Sequence, residues 1–264
     1  MRRNESNYAL KIIDIHTHPL FFEEGENPAD TALKVSRARA LGIERMVSLG
    51  DVLRFGGQPD AKQTRIINDG TMRVMERAPE FWIGFCALNP LLGEKAVKTE
   101  VERCVGGMGF RGLKLEISCN ATHPALRWVM EAARQWDVPV LQHSWSQTIM
   151  KKRKAHSDPE DTCALARRWP EVNVIMAHLT GCGYRGVKAA KGLNNLWVDT
   201  SGGAPEAGLV EYAVAELGAS RVLYGSDAPI RDLPVTVGRI TGADISASAK
   251  RAVLAGNAIK LLKL

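Results

Sequence analysis

Short apolar runs and helical segments alternate eight times along the chain, and this alternation limits the folds that are open to it. The apolar runs, predicted as strands, cover residues 11–18, 43–49, 81–88, 110–117, 138–143, 172–177, 196–200 and 221–224. Helical spacing fits residues 28–41, 64–78, 96–105, 124–136, 161–169, 184–193, 209–217 and 245–262. Strands that are apolar throughout are typical of a parallel sheet covered on both faces. No Gly-x-Gly-x-x-Gly follows the first strand, as it would in an open dinucleotide-binding sheet. The pattern therefore predicts a single (β/α)8 TIM barrel over residues 1–264.

The composition is that of an ordinary water-soluble globular protein, with 45% hydrophobic and 24% charged residues. No apolar run approaches the roughly 18 residues that cross a membrane, and the polar first residues do not form a secretory signal. The cysteines are odd in number and include no Cys-x-x-Cys pair: Cys86, Cys104, Cys119, Cys163 and Cys182. We therefore expect free thiols, no membrane partner and a cytoplasmic location.

The net charge of +6 owes much to one basic run, residues 151–154. Neither interleaved aromatic residues nor a helix-turn-helix pattern accompanies the run, so nucleic acid is not expected as a partner. A solvated loop is the expected structure, and binding of an anionic substrate is the alternative. We expect a small-molecule substrate, and the oligomeric state stays open between a monomer and a homodimer.

Four of the six histidines fall at the carboxyl ends of predicted strands, where the active site of a (β/α)8 barrel lies. With two acidic residues, this set comprises His16, His18, Glu116, His143, His178 and Asp227. His16 and His18 point the same way along one strand and are separated by roughly 6.6 Å. Imidazole and carboxylate groups that converge in this way are typical metal ligands. The alternatives are residues that merely cap strand ends, and a structural ion pair between Lys114 and Glu116.

Four stretches together resemble the amidohydrolase superfamily, in its amidohydrolase-related branch that contains aminocarboxymuconate-semialdehyde decarboxylase, other non-oxidative decarboxylases and several hydrolases. They are Asp14-Ile-His-Thr-His18, His143, Ala177-His-Leu-Thr-Gly181 and Tyr224-Gly-Ser-Asp-Ala-Pro229. The resemblance implies that one divalent metal is bound by His16, His18, His143 and Asp227, with His178 contacting the water at the metal. Zinc is expected and manganese is the alternative.

Some members of the superfamily hold two metals, and this arrangement stays open for the present chain. Glu116, or less readily Lys114, would then bridge the two ions, and His143 and His178 would hold the second one. We expect the one-metal form.

The expected activity is that of a metal-dependent hydrolase, in which activated water attacks a C–N or C–O bond of a small anionic amide, cyclic amide, lactone or ester. Asp227 or His178 would move the proton. The alternatives are a metal-dependent non-oxidative decarboxylase and a non-enzymatic barrel. Candidates for holding a substrate carboxylate are Lys114, Arg54 and residues 151–154. Trp145 is predicted to line the pocket or to pack against the barrel rim.

Overall fold

The computed structural model describes residues 11–21, 28–146, 154–203 and 206–264, and it contains a sheet of eight parallel strands in sequential order, β1 to β8. The strands are β1 Ile12–Thr17, β2 Ile43–Ser48, β3 Trp82–Leu88, β4 Gly112–Leu115, β5 Val140–Gln142, β6 Val174–Met176, β7 Leu196–Asp199 and β8 Val222–Leu223. The helices are α1 Pro28–Ala40, α2 Ala61–Arg77, α3 Glu94–Val101, α4 Leu126–Trp136, α5 Pro159–Arg168, α6 Leu179–Ala190, α7 Leu209–Leu217, α8 Leu233–Thr241, α9 Ala247–Arg251 and α10 Asn257–Leu262. None of these described helices is long and apolar enough to cross a membrane.

Backbone hydrogen bonds join the residues that directly follow β8 to β1 and close the sheet. The amide of Ile15 donates to the carbonyl of Tyr224 at 3.0 Å, and the amide of Asp227 donates to the carbonyl of His16 at 2.8 Å. Beyond the strands, the amide of His18 donates to the carbonyl of Ala228 at 2.8 Å. The predicted (β/α)8 barrel is confirmed, and its closure brings the carboxyl ends of β1 and β8 together.

Two layers of apolar side chains stabilise the barrel. The inner layer takes side chains from seven of the eight strands, such as Ile13, Phe85 and Leu223, and α10 covers one end of it. The outer layer lies between the strands and the helices. Strand β4 adds nothing to the inner layer, because Leu113 and Leu115 belong to the outer one. Because side chains alternate along a strand, Lys114 lies on the inner face.

The helix α8 was not predicted, although two signals mark its start. Asp232 accepts a hydrogen bond from the amide of Val235 at 3.3 Å, and a proline follows in the first turn. Only Thr236 and Ile240 are buried along this helix, so its apolar pattern is weak.

The start of α6 was predicted five residues too late, at position 184 instead of Leu179. Gly183 interrupts the helix with φ 60° and ψ −161°, so regular helical spacing is visible only beyond it. Strands β4 and β5 are also shorter than predicted, and Glu116 and His143 directly follow them.

Candidate metal centre

A bulge in β1 places the two histidines of the His-x-His motif. The pairing of β1 with β2 shifts by one residue between Asp14 and Thr17, so β1 carries an extra residue there. Ile15 belongs to the inner apolar layer, and in a regular strand its neighbour His16 would point to the opposite face. Bulges next to active sites re-aim side chains in this way. Here the bulge allows Ile15 to pack inside while His16 and His18 face the mouth of the barrel.

Three ligand atoms converge at this mouth. Nε2 of His16 lies 3.3 Å from Nε2 of His18. Oδ1 of Asp227 lies 3.7 Å from Nε2 of His16 and 3.8 Å from Nε2 of His18. All three side chains are buried. Ligands about 2.0–2.1 Å from a tetrahedral ion lie roughly 3.3 Å apart, so the spacing fits a divalent cation. Two imidazoles and a carboxylate suit zinc, manganese and related ions.

The other ring nitrogen of each histidine has an acceptor that fixes the tautomer. Nδ1 of His16 lies 2.8 Å from Oδ2 of Asp199, and Nδ1 of His18 lies 3.2 Å from the carbonyl of Gly50. Carbonyl and carboxylate oxygens only accept, so each Nδ1 carries a proton, and in the neutral ring the lone pair is on Nε2. Such partners are typical of metal-binding histidines.

His178 and Asp227 are two of the four described non-glycine residues with positive φ, at 67° and 68°. This conformation costs energy for a residue with a Cβ, and such residues cluster at functional sites. It brings Nε2 of His178 to 3.9 Å from Oδ2 of Asp227. Nδ1 of His178 donates to the carbonyl of Ser144 at 3.1 Å. Asp227 thus turns one oxygen to the histidine pair and the other to His178.

Burial determines the charge of the groups around the cluster. Loss of hydration lowers the pKa of His18 and of His178 well below the ordinary value, so both imidazoles are neutral near pH 7. Burial raises the pKa of Asp227, although the nearby His16 opposes this effect. The neutral imidazoles can bind a cation or accept a proton, and Asp227 holds a proton more readily than an exposed aspartate does.

A second chain of contacts lies beside the cluster and involves three residues that were predicted for the site. Oε1 of Glu116 lies 2.9 Å from Nδ1 of His143, and Oε2 lies 2.9 Å from Nζ of Lys114. The ring of His143 is 4.7 Å from that of His178. Burial alone would raise the pKa of Glu116, but the contacts with His143 and Lys114 outweigh it and hold the pKa well below its usual range. The predicted ion pair between Lys114 and Glu116 is therefore present.

These contacts make a bridging role for Glu116 unfavourable, because both of its oxygens already have partners. His143 keeps Nε2 free when its Nδ1 faces Glu116, so its role as a ligand stays a prediction. The number of bound metal ions also stays a prediction.

We expect Glu116→Gln to leave the number of bound ions unchanged and to weaken metal affinity by roughly 10- to 100-fold, as loss of an outer partner does. Titration with manganese or zinc, combined with elemental analysis, measures both quantities. The exposed Glu171, which pairs with Arg134 at 3.2 Å, provides a control in Glu171→Gln. A loss of about one ion per chain on Glu116→Gln would instead assign Glu116 as a bridge between two metals.

Besides Lys114, Trp145 and Arg54 were predicted to bind substrate. Trp145 lies at the site, whereas no contact of the described residues links Arg54 to it. The ring of Trp145 lies 5.4 Å from that of His178 and packs so closely on Gly181 that a Cβ there would be 2.4 Å from it. Arg54 is exposed, with its guanidinium carbon 5.4 Å from the centroid of the Phe55 ring. In the basic run, residues 151–153 lie outside the described residues, and Lys154 is exposed.

Sequence reasoning missed Asp199, which contacts His16 from the end of β7. The same rule that selected the other residues, a polar group at a strand end, applies to Asp199. The predicted seventh strand runs one residue further, to Thr200, and the carboxylate just before that end was overlooked.

Comparison with known proteins gives matches of two kinds. The sequence profile of the family described as Amidohydrolase matches residues 13–264. A comparison with curated proteins gave no match. Among solved structures, 2,6-dihydroxybenzoate decarboxylase from Rhizobium is similar with a TM-score of 0.76 and 18% identity, over 96% of this chain and 98% of that one.

Two further structures are similar to the chain. Dihydroxybenzoic acid decarboxylase from Polaromonas, with bound manganese and the inhibitor 2-nitroresorcinol, has a TM-score of 0.75 and 18% identity, over 96% and 97% of the two chains. 4-Oxalomesaconate hydratase from Rhodopseudomonas palustris has a TM-score of 0.66 and 16% identity, over 96% and 95%. At these identities the structures share the fold. The profile match spans nearly the whole sequence, and the chain therefore belongs to the amidohydrolase family.

Proposed function

We propose that this protein is a metal-dependent enzyme that removes carbon dioxide from a small carboxylic acid without oxidation. The observation that carries the metal-dependent part is the convergence of two imidazole nitrogens and one carboxylate oxygen within 3.3–3.8 Å. The choice of decarboxylation is supported by similar structures that are decarboxylases of dihydroxybenzoate and 5-carboxyvanillate. A hydroxy-substituted aromatic acid is accordingly the proposed substrate class.

The proposed cofactor is one divalent ion, held by His16, His18 and Asp227. When bound, it would supply Lewis acidity that stabilises negative charge on a substrate oxygen. Manganese is favoured over the zinc that we first expected, because the similar Polaromonas structure contains manganese.

The residues of the chain supply proton transfer and positioning. Loss of carbon dioxide breaks a C–C bond and leaves an electron pair on carbon, which must then receive a proton. Asp227 is the proposed donor, because burial raises its pKa and its Oδ2 faces inward near His178. His178, neutral and 3.9 Å away, can take a proton from water on Nε2 and pass it to Asp227. Trp145 is the proposed wall against which a flat substrate packs.

Hydrolysis, the activity first expected from the sequence, remains the second candidate. The neutral His178 beside Asp227 would also accept a proton from water that attacks a carbonyl, and one similar structure is a hydratase. Carbon dioxide release distinguishes the two reactions.

We expect the manganese-loaded protein to convert one or more members of a panel of hydroxybenzoates, including 2,6-dihydroxybenzoate and 5-carboxyvanillate, with one carbon dioxide released per substrate consumed. In D2O the product should carry deuterium at the carbon that lost the carboxylate. Carbon dioxide measured by gas chromatography and product measured by NMR provide the test. Turnover of lactones or amides with no carbon dioxide from any acid would favour the hydrolase.

A further inference from the structure

We propose that Asp199 is a positioning residue. Its carboxylate fixes both the tautomer of the metal ligand His16 and the position of the His178 backbone. Its Oδ2 contacts Nδ1 of His16 at 2.8 Å, and its Oδ1 accepts from the backbone amide of His178 at 3.1 Å. Oδ1 also accepts from the amide of Ser201 at 2.9 Å and from the Ser201 hydroxyl. The inference rests on the proposed metal site but not on the reaction that this site performs.

The donor and acceptor inventory explains why a carboxylate is needed at this position. An ionised aspartate only accepts hydrogen bonds, so all groups around it must donate. Two of these groups are the backbone amides of His178 and Ser201, which cannot do otherwise, and a third is the Ser201 hydroxyl, which can donate. The fourth is Nδ1 of His16, which must therefore carry the ring proton. In the neutral ring, Nε2 of His16 then carries a lone pair, which faces Nε2 of His18 and Oδ1 of Asp227.

Asp199 and His16 are tightly packed against their surroundings. Both are fully buried. Gly225, at the end of β8, lies against both, and a Cβ there would be 2.9 Å from Cβ of His16 and 3.3 Å from Cγ of Asp199. His178, at φ 67°, is held in its unfavourable backbone conformation by the bond from its amide to Asp199. Three strand ends therefore meet at one carboxylate.

The substitution Asp199→Asn tests this role, because an amide carries one acceptor and one donor. The two backbone amides of His178 and Ser201 require the side-chain oxygen on their side, which turns the amide nitrogen toward His16. Nδ1 of His16 then faces the amide nitrogen and the Ser201 hydroxyl, which lies 3.2 Å away, and both can donate to it, so the ring proton is expected on Nε2. That proton would point into the cluster of His16, His18 and Asp227, and Nε2 of His16 would have no lone pair with which to bind a cation.

We expect Asp199→Asn to raise the Kd for manganese by roughly 10- to 100-fold, as measured by titration calorimetry. Long-range ¹H–¹⁵N NMR of the metal-free protein at about pH 8, where an ordinary imidazole is neutral, should find the His16 proton on Nδ1 in the wild type and on Nε2 in the variant. His178 should keep its proton on Nδ1 in both proteins, because its partner is the carbonyl of Ser144. It is the internal control.

The matched control is Asp232→Asn, the same chemical change at an exposed residue that caps α8. Its Kd should stay within a few fold of the wild-type value, and its His16 proton should stay on Nδ1. An Nε2 proton on His16 in the wild type, or an unchanged Kd in Asp199→Asn, overturns the role of Asp199, and the first readout does not require the variant to fold. Wild-type protein that binds no manganese would contradict the metal site itself.

Discussion

Replacing His16 and His18 together with alanine is expected to abolish binding of divalent metal. Wild-type protein should bind about one ion per chain, because a single set of converging ligands is present in the described part of the structure. The double variant keeps only Asp227 of the three ligands, and one carboxylate does not retain zinc or manganese in competition with water. Elemental analysis after dialysis, followed by titration with manganese, measures the loss.

The double variant also removes the partner of a buried charge. Without His16, the Asp199 carboxylate loses its ring partner, at a cost of about 1–3 kcal/mol in folding free energy. His18→Ala alone avoids this problem, because outside the cluster the one hydrogen bond of the His18 ring to the described residues is to the uncharged carbonyl of Gly50. His123→Ala, at an exposed histidine, is the matched control and should bind metal as the wild type does. Full metal content in the folded double variant would refute the proposed centre.

The sequence predicted the barrel and most of the site for one physical reason. In a (β/α)8 barrel, functional groups lie at the carboxyl ends of strands, and strands can be recognised from local patterns. Reading polar residues at strand ends therefore selected His16, His18, His178 and Asp227 without knowledge of any long-range contact.

The sequence could not show how these groups are arranged, because the arrangement depends on contacts between distant residues. The bulge in β1 depends on pairing with β2, and its effect is to turn His16 toward Asp199, which is 183 positions away. In the same way, both oxygens of Glu116 contact Lys114 and His143 instead of the ligand cluster, and a local sequence pattern does not show this. Helix α8 was missed because its buried face is too small to give a clear periodicity.

Asp227→Asn is expected to remove nearly all turnover while the protein stays folded. Asparagine has the same shape and keeps one oxygen that can face His16 and His18, but it cannot give up or accept a proton as the carboxyl group does. Loss of a general acid–base group lowers the rate by roughly 10²- to 10⁴-fold. The measurement is kcat at saturating manganese, on whichever acid the panel identifies, with bound metal determined on the same sample.

The control for Asp227→Asn is the same chemical change five residues further along the loop, Asp232→Asn. Asp232 is exposed and caps α8, and asparagine is an equally good cap, so stability and kcat should match the wild type. If Asp227→Asn lost its rate only because the metal was lost, excess manganese would restore turnover. If the metal-loaded variant worked within a few fold of the wild-type rate, Asp227 would be a ligand only. The proton on carbon would then have to come from another group, and His178, 3.9 Å from Asp227, would be the next residue to replace.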